Sequence, residues 1–106
     1  MFKVEEMAVR LVEMLQPVLG RVRGRDRALA DQLSRAASSV ALNIGEANYS
    51  DPGNRRARLF TASGSANEAR LALRMATRCR FCSPNEAEPA RALLENIVPI
   101  LWKLTH

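Results

Sequence analysis

Apolar residues recur at every third or fourth position in four separate stretches of this chain, divided by short polar breaks. In the first stretch Val4, Ala8, Leu11, Leu15 and Val18 form one stripe with Met7 and Met14 beside it, which predicts a helix over about 2–19. Pro17 falls in its last turn, and Gly20 and Gly24 punctuate the connection that follows. The second stretch, about 26–47, aligns Leu29, Leu33, Ala36, Ala37, Val40, Ile44 and Ala47, and leaves Leu42 on the opposite side. Asp51 followed by Pro52 is a helix start, since the carboxylate can accept a free N–H and proline fits the first turn. A third helix is expected over 52–79, with Gly64, Glu68, Leu71, Ala72, Met75 and Cys79 on its inner side. Ser83-Pro84-Asn85-Glu86 has the spacing of a capping box and opens a fourth helix, 84–104. Its core stripe reads Ala90, Leu93, Leu94, Ile97, Leu101 and Leu104, with a kink expected at Pro99 and Trp102 off the stripe.

Four amphipathic segments joined by short breaks predict one all-α domain over 1–106, an antiparallel up-down-up-down four-helix bundle. The composition agrees: 47% of residues are apolar and only 5% are aromatic, so strand formers are scarce. No apolar run approaches the ~18 residues of a membrane span, and Glu5 and Glu6 stand where a signal peptide is basic. A cytoplasmic protein with no membrane partner is the expectation.

Charge is unevenly spread. The net +5 conceals a middle segment, 21–80, with twelve arginines against five acids, while 1–20 and 81–106 are each slightly acidic. A concentrated positive field suits a polyanion, RNA or DNA, and also an acidic protein partner. Arg56, Arg70, Arg74 and Arg78 project within about 80° of one another at 100° per helical residue, on an arc expected to face away from the core. Arg21, Arg23, Arg25 and Arg27 are expected in a flexible Arg-Gly loop at one end of the bundle. These eight are the candidate nucleic-acid-binding residues, and binding through them would follow phosphate and weaken with salt. The aromatics form no evident stacking platform, so base-specific readout is not expected.

Polar residues are also patterned. Ser39, Asn43 and Glu46 share a stripe flanking the apolar side of the second helix, and Gly64, Ser65 and Glu68 lie on the third. The set suits a hydrogen-bonded lock in which Ser39 and Asn43 donate to a carboxylate. Alternatives are ligand recognition and a Glu46–Glu68 carboxylate pair serving a metal or acid–base chemistry. Bundle metal sites, however, use more carboxylates and inward histidines, and the sole histidine is His106. Cys79 and Cys82 form a lone C-x-x-C, read as two reduced thiols, with an intersubunit metal or redox role as the other reading. No catalytic residue, metal ligand set or cofactor is assigned, and the chain is expected to be non-enzymatic. Leu42, Trp102, Phe2 and Val9 are apolar positions outside the predicted core, and Leu42 and Trp102 are the candidate oligomer contacts.

Two of these segments carry a family pattern. Gln32, Leu33, Arg35, Ala36, Ser39, Asn43, Ile44 and Glu46 match the first part of a recurring motif, and Ala62, Gly64, Ser65 and Glu68 match the second. The chain resembles the four helix bundle protein family. That family includes proteins encoded in intervening sequences of bacterial large-subunit ribosomal RNA, and the accessory variability protein of diversity-generating retroelements is a relative. Val40, Ala41 and Ala47 depart from the pattern. The resemblance implies a four-helix bundle assembling as a homopentamer. For the retroelement relative it also implies nucleic-acid binding and docking onto a larger enzyme, a reverse transcriptase.

Overall fold

Three short connections divide the chain into α1 (Phe2–Arg23), α2 (Arg27–Ala47), α3 (Pro52–Arg78) and α4 (Pro84–Thr105) in the computed structural model. The structure describes residues 2–106, and of Phe2 the backbone only, so the expectation for the Phe2 side chain lies outside it. No strand forms among the described residues. The starts of α2, α3 and α4 are satisfied locally. Asp26 Oδ1 accepts from Leu29 N at 2.9 Å, Asp51 Oδ1 from Asn54 N at 3.0 Å, and Ser83 Oγ from Glu86 N at 3.0 Å. Ser83 N donates back to Glu86 Oε1 at 2.9 Å, closing the capping box.

Cross-element bonds define the topology. Glu5 accepts from Asn48 at 2.6 Å, and Arg23 pairs with Asp31, so α1 and α2 run antiparallel. Glu46–Arg58 and Ser39–Ser65 fix α2 against α3, Arg56–Thr105 and Arg70–Glu95 fix α3 against α4, and Arg21–Glu86 ties α1 to α4. Neighbours pack around a closed square, with α1 opposite α3 and α2 opposite α4, in a rod of 42 × 22 × 20 Å. Up-down-up-down order is the arrangement that short loops allow.

The inner stripes of α1 and α2 lie where the periodicity placed them, and Val4, Leu11, Leu15, Leu33, Val40 and Ile44 are all buried. Three expectations are corrected. First, α1 does not stop at 19: buried Val22 continues its stripe, and the helix runs on to Arg23. Arg21 and Arg23 are therefore helical, and the supposed Arg-Gly loop shrinks to Gly24-Arg25, with Asp26 already capping α2. Second, the inner side of α3 is Leu59, Ala62, Ala66, Ala69, Ala72, Leu73 and Ala76. Of the residues predicted there only Ala72 is buried; Gly64, Glu68, Leu71, Met75 and Cys79 are exposed. Alanine rows let α2 and α3 approach closely, and the closer packing outweighs the larger Leu71 and Met75, which alone suggested the other phase. Third, on α4, Leu104 is likewise exposed and Leu93 half-buried, and the helix continues through Pro99.

Candidate nucleic-acid interface

Six arginines and one glutamate lie on α3, so this helix alone carries as much net positive charge as the whole chain. α2 is neutral by count and α4 slightly acidic. The correction to the phase of α3 moves the arginine arc with it. The position opposite the core is taken by Gly64, Leu71 and Met75, and the arginines turn toward α4. Arg70 and Arg74 line a groove of about 750 Å³ on the α3–α4 seam, together with Asn67, Leu71, Thr77 and Arg91. Arg70 is held loosely, 3.9 Å from Glu95 and 3.0 Å from Asn67 Oδ1. Arg91 is clamped by both oxygens of Glu88, at 2.7 and 2.8 Å, which lowers the Glu88 carboxyl below its ordinary value and raises the guanidinium. Arg56, at the start of α3, donates to the Thr105 carbonyl at 3.4 Å and lies 5.5 Å over the Phe60 ring.

The far end of the same seam carries a second basic group. Arg21, Arg25, Arg78 and Arg80 line a concavity of about 700 Å³ with Phe81, Cys82 and Glu86. Arg21 is fixed 3.0 Å from Glu86, and Arg25 lies 5.7 Å from the Phe81 ring. Arg80 follows the α3 C-cap with φ 62°, the left-handed region usually filled by glycine. It donates to Thr77 O at 3.0 Å while Phe81 donates to Ala76 O at 2.9 Å, a double closure that ends α3 and swings the chain into α4. Among the described residues no carboxylate lies within salt-bridge distance of Arg74, Arg78 or Arg80.

Of the eight arginines singled out in the sequence, the structure gathers Arg56, Arg70, Arg74 and Arg78 along the seam and Arg21 and Arg25 at its end. Arg23 turns to α2 and pairs with Asp31, and Arg27 opens α2, exposed and away from that concavity. Arg80 and Arg91 were missed. The excess of basic residues over 21–80 includes Arg80, and an i, i+3 spacing relates Glu88 to Arg91, but only tertiary packing brings either to the groove.

The polar set of α2 and α3 separates into parts. Ser39 Oγ and Ser65 Oγ are 2.7 Å apart, and Asn43 Nδ2 donates to Ser39 O at 2.9 Å and to Ser39 Oγ at 3.1 Å. These three form a half-buried clasp between the helices, and no carboxylate takes part. Glu46 instead meets Arg58 at 2.9 Å on the surface. Glu68 is exposed beside Gln32 and Arg35 in a shallow depression. Antiparallel register puts Glu46 and Glu68 about ten residues, or ~15 Å, apart along the helix axis, so they are not a carboxylate pair. Gly64 is exposed, and a β-carbon there would meet nothing within 4 Å in the single chain. Among the described residues no group of three or more His, Cys, Asp or Glu is placed to hold a metal. Cys79 and Cys82 are free thiols, the first exposed and the second buried, and burial pushes the Cys82 thiol above its ordinary value. Leu42 is 66% exposed on the outer side of α2 and Trp102 is 56% exposed on α4, across the diagonal, so they belong to different faces. No helix among the described residues is long and apolar enough to cross a membrane.

Comparison with known proteins places this geometry in a family. A crystallised protein of unknown function from Bacteroides thetaiotaomicron, described as belonging to the S23 ribosomal protein family, superposes with a TM-score of 0.87. The match covers 96% of this chain and 97% of that one at 17% identity, a likeness of fold. The chain matches no curated protein. The model of the 23S rRNA-intervening sequence proteins matches residues 2–103, nearly the whole length, and the chain belongs to that family.

Proposed function

We propose that this chain is a non-enzymatic, homo-oligomeric bundle that binds RNA or DNA through phosphate, with α3 and the adjoining end of α1 as its contact surface. The observation that supports this most directly is the charge placement. One helix holds the net charge of the chain, and Arg74, Arg78 and Arg80 lie outside any ion pair among the described residues. From Arg56 to Arg78 is 22 residues, or ~33 Å of helix, a span of roughly ten nucleotides at the ~3.4 Å axial rise of one duplex strand. Guanidinium forks suit that backbone because each can hold a phosphate with two parallel bonds. Without a recognition element in a groove of the duplex, such binding is sequence-tolerant. Membership of a family encoded within ribosomal RNA genes is compatible with an RNA ligand, and an accessory role beside a larger enzyme fits a bundle of this kind.

A fluorescence-anisotropy titration of nuclease-treated protein with labelled RNA and duplex DNA, at about 50 and 200 mM salt, tests the reading. Affinity should fall steeply with salt, and Arg70→Ala/Arg74→Ala/Arg78→Ala should reduce the slope of log K against log salt by about 2 to 3. Exposed Leu71 and Met75 next to the arginines favour a second reading, a scaffold docking an acidic protein. No binding at the lower salt would move that reading to first place.

A further inference from the structure

Phe60, Trp102 and His106 are far apart in sequence, yet the antiparallel pairing of α3 and α4 brings them together at one end of the seam. The Trp102 and His106 rings stack at 4.3 Å with an interplanar angle of 7°, and Phe60 meets His106 edge-on at 5.9 Å. His106 is oriented by its own hydrogen bonds: Nδ1 donates to the Trp102 carbonyl at 2.9 Å and lies 3.0 Å from Thr105 Oγ1. Thr105 is itself buried and bonded to the Leu101 carbonyl at 3.0 Å, so the ring is tied to the inner side of α4. Arg56 covers Phe60 and reaches the Thr105 carbonyl, which joins this cluster to the first arginine of α3. Trp102 and Phe60 nevertheless remain 56% and 45% exposed. The spacing of these residues in the sequence did not suggest a cluster; the pairing of α3 and α4 assembles it.

We infer that this cluster is a stacking platform for an unpaired nucleobase, so that the preferred ligand is single-stranded nucleic acid laid along the α3–α4 seam. The inference rests on the phosphate-binding reading above and names the strand form it selects. The part of Trp102 and Phe60 that His106 and Arg56 leave exposed is apolar surface beside guanidinium groups, and together they match the two parts of a single strand, base and phosphate. A duplex offers the same phosphates but keeps its bases paired, so it can use the arginines and not the rings. Base–aromatic stacking is tolerant of sequence because every base has a π-face.

Trp102 is the only tryptophan, so its fluorescence reports this site alone. A single-stranded 12-nucleotide RNA and the same sequence annealed as a duplex are titrated while anisotropy and indole emission are recorded together. Single strand should quench the indole to saturation at the concentrations where anisotropy rises; duplex should raise anisotropy with little quenching. Trp102→Ala should weaken single-strand binding roughly tenfold and leave duplex binding unchanged, while Trp102→Phe keeps most of the affinity. Rising anisotropy with unchanged emission, or equal single-strand affinity in Trp102→Ala, overturns the platform and leaves the phosphate reading standing. Absence of binding to either ligand overturns both. A Trp102→Ala protein that elutes at smaller size while binding single strand normally places the indole in a subunit contact and also overturns the platform.

Discussion

Arg80 holds a conformation that a β-carbon disfavours, with a left-handed backbone at the end of α3. The double hydrogen-bond closure there requires that geometry, and glycine would meet the requirement without steric cost. Arg80→Gly should therefore raise stability by about 1 kcal/mol, read as a higher urea midpoint at unchanged slope. The same change removes a guanidinium from the terminal concavity, so RNA binding should weaken as stability rises. At this scale the sequence was only partly readable. Ser39, Asn43 and Ser65 were visible as polar residues beside an apolar stripe, and they do meet across the helices. Glu46 and Glu68 fitted the same spacing but belong to the surface, because spacing along one helix does not fix the register of its neighbour.

The helices themselves were legible wherever large apolar residues marked a single stripe. α1 and α2 have leucine, valine and isoleucine in phase, and their buried faces followed directly. α3 has its leucine and methionine partly outside and alanines inside, so hydrophobic size pointed the wrong way while close packing decided the outcome. Helix starts were readable because capping chemistry is local. It also makes them sensitive to acid. The Asn54 backbone N–H holds the Asp51 carboxyl below its ordinary 3.8, and the Ser83 backbone N–H holds Glu86 below its ordinary 4.5. Groups whose folded values are depressed contribute stability that is full above the ordinary values and fades as pH falls through the folded ones. Urea midpoints should thus be level from pH 7 to about 5 and decline below about 4. Asp51→Asn/Glu86→Gln keeps cap acceptors that do not titrate, and should make that decline shallower.

For the whole molecule, the bundle and its handed-back connections followed from four stripes and short loops, but the seam that gathers arginines and aromatic rings did not. It depends on which faces of α3 and α4 meet, and that is settled by alanine rows with little signal of their own. Exposed Leu42, Val9, Leu71 and Met75 lie on several outer faces and are the apolar surface from which subunit contacts would be drawn. The uneven charge has a further consequence, in time more than in affinity. With α3 strongly positive and α1 across the diagonal close to neutral, Lys3, Arg10, Arg21 and Arg23 standing against Glu5, Glu6 and Glu13, the positive charge of the rod is concentrated on one side. An approaching polyanion would turn it before touching it. Stopped-flow association with RNA should accordingly slow steeply as salt is raised from about 50 to 200 mM, with dissociation changing less, and Glu13→Gln on the trailing side should alter neither rate by more than about twofold. On the proposed reading, encounters in the wrong orientation would be fewer from the outset, and a nucleic acid would tend to meet the α3 side first.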